Sequence, residues 1–213
     1  DQNFLTEATK NLCLQYDKSR NTVATSYNAT TYVRIAAGTP TGPLRLAYGT
    51  RFVASYSKKN GWYRISLPDN ATCMVGGTTV EPLAHFTSKP TGRRVLIQAR
   101  RLLGVPYLWG GVSAFGFDCS GLVKTLYAMF GISLPRDTKD QIKCGTSVTR
   151  SEMKTGDLAF FDRHVGLINH DGGILHCSAG GGCVRIDSID KRNREHEYRE
   201  DLDKSFKEAK RIL

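Results

Sequence analysis

The spacing of hydrophobic and polar residues changes near residue 90. Between Thr22 and Leu83, short β-rich runs alternate with turn signals such as Gly38-Thr39-Pro40 and Lys59-Asn60-Gly61. Strands of this length and spacing are typical of a small β-barrel. The pattern predicts strands at Ala24–Ser26, Thr31–Ile35, Arg51–Tyr56, Trp62–Leu67, Cys73–Val75 and Val80–Leu83.

Beyond residue 92, the apolar residues first follow a helical period. One run begins at Val95 and ends before Gly104, a residue type that favours the left-handed conformation at a helix end. A second run follows Gly116-Phe117-Asp118-Cys119-Ser120-Gly121 and continues to Phe130. Asp137 or Thr138 is predicted to cap a short third helix that reaches Ile142.

From Asp157 onward the pattern becomes strand-like. The turns His170-Asp171-Gly172 and Gly180-Gly181-Gly182 separate apolar runs and predict antiparallel hairpins. The predicted strands cover residues 157–162, 164–169, 173–177 and 184–187. Helices followed by strands indicate an α+β domain.

The two ends of the chain are less strongly patterned. Residues 4–16 predict a short helix, and residues 87–92 have the composition of a linker. The charged tail from Lys191 to Lys210 fits a surface helix, whereas residues 205–213 fit a final strand equally well. We therefore expect an N-terminal segment (1–21), a β-barrel (22–86), a linker (87–92) and a second domain (93–213).

The second predicted helix begins with chemistry-bearing residues. Asp118 is a favoured N-cap residue, which places Cys119 in the first turn of the helix. Free N–H groups and the positive end of the helix dipole favour a thiolate there, and the thiolate is the nucleophilic form of cysteine. Cys119 is therefore the candidate nucleophile.

A nucleophilic cysteine needs a base, and the chain offers five histidines. We set aside His85 beside the linker, His170 in a turn and His196 in the charged tail. His164 and His176 remain, on neighbouring predicted strands, where cross-strand side chains can meet. We assign His164 as the base and His176 as the residue that fixes its tautomer; a buried cysteine with two satisfied histidines is the competing interpretation.

Composition narrows the functional class. Of the 213 residues, 40% are hydrophobic and 23% are charged, which is ordinary for a globular protein. The net charge of +10 is spread over both halves and fits a solvated basic surface or attraction to an anionic polymer. The sequence contains no Lys/Arg cluster with interleaved aromatics, which argues against nucleic-acid binding. It also contains no apolar run of 18 residues, which argues against a membrane span. We expect a monomer without metal or organic cofactor.

The six cysteines contain no Cys-x-x-Cys pair, which argues against a zinc ribbon or a thioredoxin-like site. Cys177 and Cys183 flank a short turn and could form a disulfide or be two buried small residues. A pairing of Cys13 with Cys73 also stays open. Asn28-Ala29-Thr30 and Asn70-Ala71-Thr72 are glycosylation sequons, which matter only in a eukaryotic secretory route.

The first predicted domain resembles a bacterial SH3 (SH3b) domain. The resemblance rests on Tyr32-Val33-Arg34-Ile35, on Tyr48-Gly49-Thr50-Arg51-Phe52-Val53 and on Asn60-Gly61-Trp62-Tyr63-Arg64-Ile65. It implies a wall-binding or substrate-shaping module. We expect Trp62 to be a core aromatic of the barrel, in preference to a ligand platform.

The second domain resembles the NlpC/P60 family of cell-wall cysteine peptidases. The matching blocks occur in family order: residues 106–111, Phe117-Asp118-Cys119-Ser120-Gly121-Leu122-Val123, residues 131–137, residues 156–161, His164-Val165-Gly166 and Leu175-His176. The resemblance implies a papain-like α+β fold after an SH3-like barrel. It also implies hydrolysis of peptidoglycan stem peptides between γ-D-glutamate and a diamino acid, by a secreted enzyme whose signal peptide has been removed.

The resemblance also implies roles for single residues. Cys119, His164 and His176 match the nucleophile, the base and the third polar residue, and Tyr107 matches a tyrosine that polarises the substrate carbonyl. The candidate substrate-binding residues are Asp118, Ser120, Arg163 and Trp109. Arg163 and Cys177 depart from the family pattern, which often has small residues there, and Ala209-Lys210-Arg211-Ile212 resembles the last family strand. The alternatives are a catalytically silent wall-binding protein and another papain-like acyl transferase.

Overall fold

The computed structural model describes residues 20, 22–24, 29–34, 44–59, 61–66, 72–78 and 80–213. The chain divides into two compact units, residues 1–88 and 89–213. The helix expected over residues 4–16, Cys13, and the sequon residues Asn28 and Asn70 lie outside the described residues.

The described strands of the first unit form an antiparallel sheet in the order β3-β2-β6-β5-β4-β1-β7. The strands are β1 (Thr22–Ala24), β2 (Ala29–Arg34), β3 (Leu44–Leu46), β4 (Arg51–Ser57), β5 (Trp62–Ser66), β6 (Thr72–Gly76) and β7 (Val80–Pro82). Alternate residues of β4 and β6 are buried, as the sequence pattern predicts. The core of the sheet consists of Phe52, Ala54, Ile65, Cys73, Val75 and Val80.

Three details of the first unit differ from the sequence prediction. Strand β3 has only three residues and was not predicted, and a short helix, α1 (Leu83–Thr87), begins where the last predicted strand ends. The expectation that Trp62 is a core aromatic is wrong, because its side chain is 39% exposed. Its position on β5 alternates with that of the partly buried Tyr63, so Trp62 lies on the solvent side of the strand.

The predicted helices of the second unit are present. Helix α2 (Gly92–Arg100) begins at Thr91, whose hydroxyl accepts a hydrogen bond from the Arg94 amide, and the chain turns after it through Gly104 at φ 84°. Helix α3 (Cys119–Met129) begins directly at Cys119. Helix α4 (Thr138–Gln141) is short, and α5 (Glu200–Ser205) occupies part of the charged tail.

A second sheet forms the centre of this unit, with the order β10-β16-β11-β12-β13-β14-β15. Its strands are β10 (Thr146–Val148), β11 (Leu158–Phe161), β12 (His164–Ile168), β13 (Ile174–Ser178), β14 (Cys183–Ser188), β15 (Glu197–Tyr198) and β16 (Glu208–Arg211), while β8 (Val112–Ser113) pairs with β9 (Gly116–Phe117). The four predicted strands are confirmed as β11–β14. The tail contains both a helix, α5, and a final strand, β16, so each alternative describes part of it.

Helix α3 packs against β12 and β13 through an almost continuous apolar face that includes Leu122, Val123 and Leu126. The hydroxyl of Tyr127 donates to the Gly156 carbonyl at 2.8 Å and ties the helix to the start of β11. A separate cluster lies around Ala159, Phe161, Ile168, Ile174, Ile189 and Leu202. Because strands β11–β13 are buried along their length, they form a rigid support for any side chain at their ends.

The five cysteines within the described residues are free thiols: Cys73, Cys119, Cys144, Cys177 and Cys183. Cys183 lies opposite Ser178 and not Cys177, so the possible hairpin disulfide is not formed. Cys177 is fully buried, and its thiol donates to the Phe117 carbonyl at 3.0 Å.

Among the described residues, no helix is long and apolar enough to cross a membrane.

Candidate active site

The start of α3 fixes Cys119 through its neighbour Asp118. The carboxylate of Asp118 accepts a hydrogen bond from the Gly121 amide at 2.7 Å and caps the helix, which confirms the predicted N-cap. The same carboxylate accepts from the Gly110 amide at 3.0 Å, and so joins the helix to the preceding loop.

Close backbone packing makes glycine necessary at Gly121. A Cβ atom there would lie 2.0 Å from the Gly111 carbonyl oxygen and 2.9 Å from the Asp118 carboxylate. That carbonyl accepts a hydrogen bond from the Asp118 amide at 3.1 Å. The glycines around the cysteine therefore allow the loop to pass directly against the first turn of α3.

Arg136 neutralises Asp118 from the other side. Its guanidinium donates to both carboxylate oxygens of Asp118, and also to the Ser120 hydroxyl at 2.9 Å. This pair and the two backbone amides hold the pKa of Asp118 below its usual value, although burial acts in the opposite direction. Arg136 stands in one of the family-like sequence blocks, but nothing in the sequence indicated that it would contact Asp118.

Burial raises the pKa of the Cys119 thiol above its ordinary value. Hydrogen bonds from the Thr138 hydroxyl and from the amides of Val165 and Ser120 oppose this effect but do not overcome it. The Thr138 oxygen lies 3.9 Å from the sulfur. The expectation that the helix start favours a resting thiolate is therefore wrong, because desolvation outweighs the local donors.

The structure brings the two candidate histidines together. His164 begins β12 and His176 lies on β13, and His164 Nε2 is 2.7 Å from His176 Nδ1. Their rings meet edge to face, with centroids 4.9 Å apart. Burial, followed by the influence of His176 and Arg199, lowers the pKa of His164 to about 3, so the His164 ring is neutral near pH 7.

Gly166 makes room for this pair. A Cβ atom at Gly166 would lie 3.0 Å from the Cβ of His176 and 2.5 Å from a methyl group of Ile174. The glycine two residues after His164 thus permits the close approach of β12 and β13 that the sequence suggested.

His176 has a further partner that sequence reasoning missed. Its Nε2 lies 3.0 Å from the carboxylate of Asp187, which is fully buried on β14. The signal was present: the hairpin pairs His176 with Arg185, and an acid stands two residues further along the same strand.

The remaining predicted residues line one cleft of about 890 Å³. Cys119 and His164 line this cleft together with Tyr107, Trp109, Asp118, Ser120, Asp137, Thr138, Lys139, Ile142, Phe161, Asp162, Arg163, Ala179 and Lys207. Trp109 is 87% exposed, and Arg163 occupies the left-handed region at φ 55° in the turn before His164. Burial raises the pKa of Tyr107, so its hydroxyl stays protonated at neutral pH and can donate a hydrogen bond.

A larger concavity of about 1400 Å³ shares no residue with this cleft. Its lining combines four basic with four acidic side chains and contains neither cysteine nor histidine: Arg150, Lys191, Arg192 and Arg194, with Asp171, Asp190, Glu195 and Asp203. The volume of a cleft alone therefore does not identify the candidate active site, whereas the presence of the cysteine and the histidine pair does.

Known proteins resemble this chain in sequence and in fold. Residues 104–202 match the NlpC/P60 family model. A γ-D-glutamyl-L-lysine dipeptidyl-peptidase of Bacillus subtilis is 36% identical over 138 residues, which cover 61% of this chain and 46% of that protein. A murein DD-endopeptidase/murein LD-carboxypeptidase of Escherichia coli is 36% identical over 126 residues, which cover 56% of this chain and 62% of that one.

A solved NlpC/P60 family protein from Bacillus cereus superposes with a TM-score of 0.79 at 26% identity. The superposition covers 94% of this chain and 65% of the other. The chain spans about half the length of the Bacillus subtilis relative. The family model, the sequence relatives and the superposition agree, and the second unit of the chain belongs to the NlpC/P60 family.

Proposed function

We propose that this protein is a cysteine peptidase that hydrolyses peptidoglycan stem peptides. The observation that carries the proposal is that Cys119, at the start of α3, and His164 line one cleft, and that His164 is hydrogen-bonded to His176. A nucleophile, a base and a residue that orients the base are the minimum equipment for acyl transfer by cysteine.

The neutral resting site suggests how the reaction starts. His164 uses Nε2 toward His176, so Nδ1 is the nitrogen left to accept a proton. As the Cys119 sulfur attacks the amide carbon, its proton moves to His164 and the carbonyl oxygen becomes an oxyanion. Backbone N–H groups at the start of α3 and the Tyr107 hydroxyl are the candidate donors to that oxygen.

The second half of the reaction returns the protein to its starting state. The His164 imidazolium donates its proton to the leaving amine, which breaks the carbon–nitrogen bond and leaves a thioester on Cys119. Water then attacks the thioester while His164 takes one of its protons, and the acid product leaves as the thiol reforms. These steps need side chains of this chain and water.

We propose the bond between γ-D-glutamate and the diamino acid as the one cleaved. A relative named a γ-D-glutamyl-L-lysine dipeptidyl-peptidase supports this assignment. Trp109, Ser120 and Arg163 are the proposed substrate contacts. Asp118 joins them only where a substrate amine shares or replaces Arg136, because that arginine already engages both carboxylate oxygens.

We propose that the first unit is an SH3b-like module that binds or shapes the wall substrate. Its sheet of short antiparallel strands and the extent of the likeness to the Bacillus cereus protein support this proposal. A substrate in the cell wall also requires a protein that is secreted, and we propose that it acts there as a monomer.

Incubation with purified sacculi and defined muropeptides, followed by mass spectrometry of the products, tests the proposal. We expect the wild type to release fragments cut after γ-D-glutamate and Cys119→Ala to release none. Equal activity of both proteins would exclude Cys119 as the nucleophile. Fragments cut at another bond would keep the hydrolase and change its specificity, as the differently named Escherichia coli relative illustrates.

Two other functions predict different results in the same assay. A catalytically silent wall-binding protein would sediment with sacculi and release no soluble fragment as wild type or as Cys119→Ala. A papain-like acyl transferase would join the acyl fragment to an added amine in place of water. Products of hydrolysis without amine adducts would exclude both.

A further inference from the structure

A buried carboxylate lies behind the histidine pair and has no role in the reaction described above. Asp187 is fully buried on β14, and its Oδ2 lies 3.0 Å from His176 Nε2. An isolated ionised carboxylate in such a position is costly, so its partners must account for its presence.

Two arginines hold this carboxylate from different elements. Arg185 Nε donates to Oδ1 at 2.6 Å from the same strand, and Arg199 Nη1 donates to Oδ2 at 3.1 Å from the loop before α5. Burial acts to raise the pKa of Asp187, but His176 and Arg185 outweigh it and keep the pKa below its usual value. Asp187 is therefore ionised at neutral pH, and an ionised carboxylate can only accept hydrogen bonds.

The ionised carboxylate determines where the ring protons are. Because Asp187 can only accept, His176 must carry its proton on Nε2, which leaves Nδ1 of His176 as an acceptor. His164 must then carry its proton on Nε2 to satisfy the 2.7 Å contact. Nδ1 of His164 is left with a free lone pair, as a base beside Cys119 requires.

The same carboxylate also stabilises the charge that appears during the reaction. When the sulfur–hydrogen bond of Cys119 breaks and the proton bonds to Nδ1, His164 becomes a cation in a buried site. Its Nε2 proton points to His176, which in turn donates to Asp187, so the new positive charge is linked to a fixed negative charge. Arg199 opposes this stabilisation at His164, whereas Asp201 and Asp187 favour it.

We propose that Asp187 is a positioning residue of this site, which fixes the tautomers of His176 and His164 and stabilises the His164 cation. The inference rests on the proposed cysteine peptidase function. It extends the cysteine and two histidines to a chain of four residues that crosses strands β12, β13 and β14.

The tautomers can be measured in the unmodified protein. In long-range ¹H–¹⁵N spectra of the full chain at pH 7, with histidine labelled, we expect His164 and His176 both to be protonated at Nε2 and not at Nδ1. A proton on Nδ1 of His176 would overturn the proposal. This measurement depends neither on peptidoglycan cleavage nor on the folding of a variant.

The charge is tested with Asp187→Asn, which keeps the size of the side chain. We expect the alkylation of Cys119 by iodoacetamide at pH 7 to slow about tenfold, since the His164 cation formed in that step loses its stabilisation. For kcat/KM on a muropeptide we expect a fall of about 10- to 100-fold, less than for a residue that contacts the base directly.

Asp157→Asn is the matched control. Asp157 is also a buried aspartate, directly before strand β11 of the same sheet, and Arg211 donates to both of its oxygens. Its hydrogen bonds go to Arg211 and the Lys154 amide, and to neither histidine. A similar loss of alkylation rate in both variants would mean a general effect on the fold and would overturn the proposal. If Asp187→Asn alone slows alkylation while no muropeptide is cleaved, the positioning role stands and the proposed substrate fails.

Discussion

The two sides of the candidate site are held in different ways. On the side of the nucleophile, one carboxylate, Asp118, binds backbone amides of a loop and of a helix start. On the side of the base, the contacts run from side chain to side chain across three strands, through His164, His176 and Asp187. Backbone geometry thus sets the position of Cys119, whereas a chain of hydrogen bonds sets the protonation of His164.

The difference has a consequence for how each side fails. Loss of Asp118 should break its hydrogen bonds to the backbone amides of the loop and the helix start. Both the free energy of unfolding and the activity should then fall. Loss of a link between the histidines should change proton positions and charge while most of the fold remains.

Asp118→Ala should have the largest effect on stability. It removes a helix cap, which contributes about 1 kcal/mol, and leaves the partly buried Arg136 without its partner. We expect the free energy of unfolding in urea to fall by about 3 kcal/mol. Asp118→Asn is the control, since the amide oxygen can still accept from Gly121 while the charge opposite Arg136 is lost, and it should lose about 2 kcal/mol. Equal losses in the two variants would show that the lost charge accounts for the whole effect and that the cap contributes nothing measurable.

The pH dependence of the free energy of unfolding should report the protonation of His164. The pKa of His164 is about 3 in the folded protein and about 6.5 in an unfolded chain. The unfolded state therefore binds more protons between these values, and stability is lost as pH falls from about 6.5 toward 3. We expect a loss of about 2 kcal/mol between pH 7 and pH 4.5, a value reduced for the partial exposure of the ring.

His164→Gln provides the comparison for this titration. Its urea midpoint should change less between pH 7 and pH 4.5 than that of the wild type, because glutamine does not titrate. The Asp carboxylates with lowered pKa values add their own losses only at lower pH, below their unfolded value near 4. Parallel curves for the two proteins would mean that His164 is not the group responsible.

The sequence predicts the nucleophile side better than the base side. Asp118, Cys119 and the apolar period of α3 are adjacent in the chain, so local rules for capping and periodicity were enough to place them. His164 and His176 could be placed on neighbouring strands because a two-residue period and glycine turns define the hairpins.

The contacts that the sequence could not provide join residues that are far apart in the chain. Arg136 reaches Asp118 across 18 positions, and Arg199 reaches Asp187 across 12. The protonation of Cys119 was also predicted wrongly, because the helix start is a local feature whereas burial depends on the whole cleft. The prediction for Trp62 is wrong for the same reason. The alternation of side chains along β5 is a local feature, whereas which face of the strand is covered depends on residues far away in the chain.

Gly166→Ala should disturb the histidine pair with a smaller loss of stability. The new methyl group would contact Ile174 and His176, and we expect about 1–2 kcal/mol of destabilisation, typical of overpacking. The edge-to-face contact of the two rings should change, which a shift of the histidine signals in ¹H–¹⁵N spectra would report. Gly180→Ala is the control, because no atom lies within 4 Å of its Cβ position and we expect a change below about 0.5 kcal/mol.

The smallest expected effect concerns the resting state of Cys119, and it decides how the two sides cooperate. Because burial raises the pKa of the thiol while His164 stays neutral, the free protein should hold a thiol and a neutral imidazole at pH 7. The ultraviolet absorbance of the thiolate, taken as the difference between wild type and Cys119→Ala, should therefore rise only above the ordinary range for cysteine, about pH 8.5. Thr138→Val should move this midpoint slightly higher, because it removes a donor to the sulfur. A thiolate signal already present at pH 6 would establish a preformed thiolate–imidazolium pair. The proton of Cys119 would then move to His164 before substrate binds, and not during the attack.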